Sequence, residues 1–455
     1  MTGKRITVSS IDRDRYGGWR KIRFDATGFF RLERSDRWWF VTPEGNAFLS
    51  WGLNHVHPQF ILQDYNIETW KNLLSVTDVR DNHFARAFRD RVMSDLTAFG
   101  MNTLGPHSPI GFHTAPPCPY VEPLRFVKID HWALPQDEDF YDVFSPEFES
   151  HCDRLAERIA APRKDDPLLI GYVMTDCPIY TEQDAVAHGN NIYGRERHAL
   201  PTWPRVLRNR DADSPGKRAY VDLMRDTYQG DIKAFNTTYG TRFPSFDALA
   251  GATCWRREID SANENELRDN RALLLNVIDR YYTVAVKAIK KHDPNHMVFG
   301  DIVNGNTDPQ DDIIALIGKH MALLAYQFYG YFLEQQPWLN RWSRITGKPL
   351  FNADSACAVP HDRMPDPFGP HCSSQEEQAE RFREFAHNAF ARADFIGWNW
   401  CGWVDLWESS YPGKQHSGIQ DAFGNHYVLL RRAMAEFAGR MYQIAAKGRT
   451  GATLI

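Results

Sequence analysis

Two apolar runs of strand length in this chain stop on an acid. Residues 168–178 read LLIGYVMTDCP and place Asp176 ahead of Cys177 and Pro178, and residues 348–356 read KPLFNADSA and carry Asp354. Such a run delivers a carboxylate to the end of a buried strand. A pair of carboxylates at one mouth is the equipment for cleaving a glycosidic bond, one protonating the leaving oxygen while the other attacks the sugar or activates water. Other strand-like runs end in Asn54 and His55, His107, Asp301, Gln327 and Tyr329, and Trp398, Trp400 and Trp403, with Glu408 in the loop beyond. Asn, His, Gln and Tyr suit sugar hydroxyls, and a Trp or Tyr face suits a sugar ring.

A second chemistry competes with this one. His55 and His57 form an HxH pair after the first barrel-type strand, and imidazoles two apart on an extended strand share one side and can ligate a metal. Barrel hydrolases built that way also need a ligand on the fourth strand and His on the fifth and sixth. Here the fourth offers Asp176, the fifth Asp301 and the sixth has no His. The reading therefore expects no metal and no cofactor, and Asp176 and Asp354 remain the catalytic pair. Cys177 reads as a small buried thiol beside them.

The elements that must position these residues alternate. Strands are expected at residues 47–56, 101–104, 120–129, 168–176, 297–303, 323–330, 349–356 and 395–403. Between them, helical spacing recurs at 81–99, 145–161, 220–238, 264–291, 313–319, 376–393 and 427–445. Ser145-Pro146-Glu147 is a helix start with a capping hydroxyl, a first-turn proline and an acid. Eight strands alternating with helices predict a (β/α)8 barrel over residues 47–455, whose active site lies at the C-terminal strand ends. Residues 1–46 read as an N-terminal extension with a β-hairpin that closes the barrel floor. Loop insertions cross the mouth around 179–240 and at 359–372, and another loop carries Asp130, His131 and Trp132.

Composition bounds the partners. A net charge of -5 gives no reason to expect nucleic acid or an anionic membrane, and no apolar run approaches a membrane span. The first residues have no apolar leader segment, and the seven Cys are odd in number without a CxxC spacing; both favour a cytoplasmic chain with reduced thiols. Aromatic content of 13 % fits a sugar-like ligand. The oligomeric state stays open.

The segments YGGW (16–19), ATGFFRLE (26–33), RWWFVTPEGNAFLSWGLNHV (37–56), GMNTLG (100–105) and DVFSPEFE (142–149) resemble the β-agarases of glycoside hydrolase family 50 in clan A. The resemblance covers most of the chain, with the 37–56 block its most specific part. It implies a TIM barrel and a retaining, exo-acting hydrolase of galactan oligosaccharides, with an Asn-Glu acid/base pair on strand 4 and a Glu nucleophile on strand 7. This sequence departs at both positions: Asp176-Cys177 stands where the clan has Asn-Glu, and Asp354 stands at the nucleophile. Shorter acids, one of them displaced, widen the gap, and about 6.5–9.5 Å between carboxylates suits inversion through an intervening water. The expected substrate is a short oligosaccharide or small glycoside. The alternative is a barrel that binds sugar without cleaving it.

Overall fold

The computed structural model describes residues 12–80, 82–108, 118–130, 135–181, 184, 201–253, 255–256, 259–307, 309–411 and 414–447. Eight parallel strands close into a barrel: β5 (Ser50–Leu53), β6 (Thr103–Leu104), β7 (Tyr120–Pro123), β8 (Leu169–Asp176), β9 (Met297–Asn304), β10 (Leu324–Gln327), β11 (Leu350–Ser355) and β12 (Phe395–Trp400). Each expected strand is present, and several are shorter than their apolar runs. Helices cover the outside, so β8 is buried at every position and shows no alternation of polar residues. Ser145 caps the helix Pro146–Ile159 by accepting from the Phe148 N–H, as the sequence predicts.

Ahead of the barrel stands a four-stranded antiparallel sheet, not a lone hairpin. It consists of β1 (Trp19–Arg23), β2 (Arg31–Arg34), β3 (Trp38–Val41) and β4 (Asn46–Phe48), in the order β1-β4-β3-β2. The run expected as strand 1 is therefore split, its first residues pairing in this sheet as β4. Phe40 of β3 plugs the barrel floor, 5.9 Å from Phe299 of β9 and 6.2 Å from Phe351 of β11 between ring centroids. The buried Arg37 ties the sheet to the C-terminal half, donating to the carbonyls of Phe390, Phe395 and Ala445.

The insertion after β8 is helical where it is described. The segment expected as one helix over 220–238 is two, Pro215–Thr227 and Ile232–Tyr239, separated where Gln229 and Gly230 take φ of 53° and 78°. A left-handed pair cannot continue a helix. The predicted loop residues His131 and Trp132, most of 182–200 and Cys254 lie outside the described residues. Beyond β12 the chain forms a hairpin that the sequence reading leaves as loop, β13 (Leu406–Tyr411) with β14 (Lys414–His416). The 359–372 loop bridges to it at Pro367 and Gln415. Among the described residues no helix is long and apolar enough to cross a membrane, and six cysteines are free thiols, all buried.

Candidate active site

Asp354 ends β11 with its carboxylate in the barrel mouth. Asn54 Nδ2, just past β5, donates to its Oδ1 at 2.5 Å, and the Tyr329 hydroxyl, beyond β10, donates to its Oδ2 at 2.8 Å. His55 Nε2 lies 3.5 Å from the same Oδ2. Burial works to raise the Asp354 pKa. Hydrogen bonds from His55 and Asn54, with the charge of His55 and His107, overcome it and hold the carboxyl well below its ordinary range. This acid stays ionised. The close seat of Asn54 explains Gly105 in the GMNTLG run: a Cβ there would stand 1.8 Å from Asn54 Oδ1.

Asp176 ends β8, and its own N–H donates to Asp130 Oδ1 at 2.8 Å. Its Oδ2 is 3.9 Å from His107 Nε2. The His55 and His107 rings stack in parallel, 5.0 Å apart at 4°, so the two aspartates are linked as Asp354, His55, His107, Asp176. Burial lowers the His107 pKa, opposed by the charges of Asp176 and Asp354, which reach it from both sides. Asp130 is pushed up to about 7, by burial first and by the charge of Asp176, while Arg125 opposes. Below neutral pH the mouth therefore holds an ionised carboxylate at Asp354 and a proton-holding carboxyl at Asp130. Cys177 is buried with φ of 49°, and burial together with its hydrogen bond to Asp176 keeps its thiol protonated. A thiol in that form is a poor nucleophile.

Of the expected site residues, Asn54, His55, His107, Asp176, Tyr329 and Asp354 come together. Gln327 is buried on β10 opposite Asp354 in the strand register. Asp301 does not join them. The β9 strand carries a register shift where Gly300 takes φ of 80°, and such a bulge reverses which face the next side chain occupies. Asp301 therefore points at the helix Glu264–His292. There it accepts from the hydroxyls of Tyr180 and Tyr282 and from the Thr175 N–H.

The tryptophans also differ from expectation. Trp398 stands on the outer face of β12, donating to Ser355 Oγ at 2.8 Å and packing 4.4 Å from Phe385 of the helix Gln375–Ala391. Trp400 shares that face, 5.9 Å from Phe382, and Trp403 donates to Asp95 between Trp70 and Phe88. None of the three is the floor of a sugar pocket, since alternation gives the inward position on β12 to Asn399. Glu408 is exposed on β13. The HxH pair separates as well: His55 has φ of 52°, which breaks the extended geometry, and His57 turns back to accept from the Gln59 N–H as a helix cap. Among the described residues His57 joins no metal-binding group.

Sequence reasoning missed four members of this neighbourhood. Asp130 was visible only as a loop acid. Cys401 follows β12, and His416 comes from β14 to within 4.5 Å of the His55 ring, centroid to centroid. Phe368, from the 359–372 loop, stacks over His416 at 6.3 Å and meets Tyr329 edge-on at 4.7 Å.

No protein-family model matches the chain. The β-agarase A of Vibrio sp. (strain JT0107) is 21 % identical over 477 residues, an alignment that takes in 91 % of this chain and 46 % of that protein. The chain thus spans about half the length of this relative. Among solved structures, an exo-β-agarase superposes with a TM-score of 0.78 at 18 % identity, and a second agarase with 0.77 at 19 %. Each match covers 95 % of this chain and 68 % of the other. A GH50 protein follows with 0.75 at 19 % identity, over 95 % of this chain and 69 % of its own. The chain is similar to β-agarases in sequence, and the barrel with its leading antiparallel sheet is the fold it shares with them.

Proposed function

We propose that this chain is a glycoside hydrolase of agarase-like, exo-acting kind that cleaves short oligosaccharides or small glycosides, with Asp176 and Asp354 as its acid pair. The observation that carries the reading is the linked row Asp354, His55, His107, Asp176, which sets two carboxyl groups from different strands around one mouth. The named activity of the Vibrio relative supports the class of reaction.

Asp354 is the acceptor-only carboxylate, held in the ionised state by Asn54, Tyr329 and His55, and it acts as the base that activates water. Asp176 hands the proton to the leaving oxygen. Asp130 accepts from the Asp176 backbone N–H and so fixes the end of β8 that carries the acid. The 359–372 loop and the β13–β14 hairpin wall one side of the mouth, which favours a chain end or a small glycoside over the middle of a polymer. Inversion is the stereochemical outcome proposed for this pair.

A screen of purified protein against aryl glycosides and galactan oligosaccharides tests the reading, run beside Asp176→Asn and Asp354→Asn. Turnover that both substitutions abolish is expected, and NMR of the first product reports the anomer. A retained anomer refutes inversion. Tight sugar binding without turnover in the parent, unchanged in both variants, replaces the hydrolase with a binding barrel.

A further inference from the structure

Beside the acid pair stands a donor set that sugar chemistry does not call for. One ring nitrogen of His55, one of His416 and the Cys401 Sγ all lie within 4.8 Å of one another, with Cys401 Sγ 4.0 Å from His416 Nδ1. Three segments deliver them: the turn after β5, the turn after β12 and the end of β14. In a tetrahedral zinc site with Zn–S of about 2.3 Å and Zn–N of about 2.0–2.1 Å, ligand atoms stand roughly 3.3–3.6 Å apart. The trio is therefore slightly open and closes by small side-chain movements. Cys401 and His416 are both buried, and His55 is set in place by a left-handed backbone that a non-glycine residue seldom adopts.

We propose that His55, Cys401 and His416 bind a zinc-class divalent cation at the barrel mouth. Two imidazoles and a thiolate form a borderline-soft set, which selects zinc over magnesium or calcium. Asp354, whose Oδ2 is 3.5 Å from His55 Nε2, stands beside the trio without joining it, and a water takes the fourth position. On binding, the Cys401 thiol proton leaves to solvent and sulfur bonds to the metal as thiolate. No oxidation or reduction is involved. The trio shares only His55 with the His55/His57 pair that the sequence raises as a competing metal site and sets aside.

The assignment does not rest on the hydrolase reading, because binding is read without turnover. Purified full chain is equilibrated with zinc, freed of excess by gel filtration and assayed for bound metal. A parallel sample takes cobalt, which shows a thiolate-to-metal charge-transfer band when sulfur is a ligand. One zinc per chain and a clear cobalt band are expected. Cys401→Ser and His416→Ala each lower retained zinc by at least about ten-fold, and Cys401→Ser removes the band. His57→Ala and Cys372→Ser change neither. Folded parent protein that retains no zinc overturns the proposal, as does a cobalt band that survives Cys401→Ser. The parent titration decides the matter if a variant fails to fold, since circular dichroism melting shows which samples are folded.

Discussion

Asp301 and Asp354 are both buried acids on barrel strands, three residues and one residue from their strands' C-terminal ends, and their pKa values move in opposite directions. Asp301 is surrounded by neutral donors, the Tyr180 and Tyr282 hydroxyls and the Thr175 N–H, and burial outweighs them and raises its pKa. Asp354 accepts from Asn54 and Tyr329 too, but it adds the imidazoles of His55 and His107, and its pKa falls. The difference teaches that burial alone does not mark a reactive acid. A carboxylate kept ionised in the interior needs donors that can carry charge, and it is aimed at a mouth and not at a helix.

The comparison breaks most sharply at the acid itself. Asp354→Asn is expected to lower kcat by about 10³-fold, in the range of a lost acid–base group, with the melting temperature little changed. Steady-state rates on the best substrate of the screen check it, and a near-normal rate would strip Asp354 of its role. Asp301→Ala should act the other way. It leaves tyrosine hydroxyls without their acceptor and costs about 3 kcal/mol in urea unfolding, while turnover per folded molecule holds. If Asp301→Ala spares stability but stops turnover, the two acids have been assigned to the wrong tasks.

Asp130 sharpens the same contrast through pH. Its carboxyl holds its proton up to about 7 in the fold, against an ordinary value of 3.8. Below the ordinary value both states are protonated. Between roughly pH 4 and 7 only the unfolded chain ionises, so this group makes stability fall with rising pH by about 1.4 kcal/mol per unit. Asp130→Asn keeps an acceptor for the Asp176 N–H and should flatten that slope. Thermal melts from pH 4 to 8 decide, and an unchanged slope rejects the protonated state. A smaller effect on turnover than that of Asp354→Asn is expected from Gly105→Ala, whose Cβ would meet Asn54 Oδ1 at 1.8 Å. Relieving that contact moves Asn54 about 1 Å or more off Asp354 and should slow turnover roughly 10²-fold. Asparagine at 54 replaced by Ala should then add little to it, and a fully additive double variant would show that the two act separately.

Much of the scaffold was legible because its signals are local. Ser145-Pro146 starts its helix, apolar runs of strand length mark the barrel, and Asp176 and Asp354 stand at strand ends where acids are rare. The errors have one root. In a barrel whose strands are covered on both sides, apolar residues face inward and outward alike, so the sequence of β12 does not say that Trp398 and Trp400 face the helix and Asn399 the interior. A single bulge at Gly300 then reversed Asp301, and a left-handed φ at His55 parted it from His57. Backbone irregularities of one residue leave no periodic trace.

By itself, the order of residues determined that the chain forms an eight-stranded parallel barrel and that two of its strands end in aspartate, because strand length, burial and helix capping are read from neighbours in the chain. Only the tertiary structure decided which donors surround each acid. Asn54, His55, His107, Tyr329, Cys401 and His416 come from segments that meet nowhere but at the mouth, and the state of a buried carboxylate depends on what touches it through space.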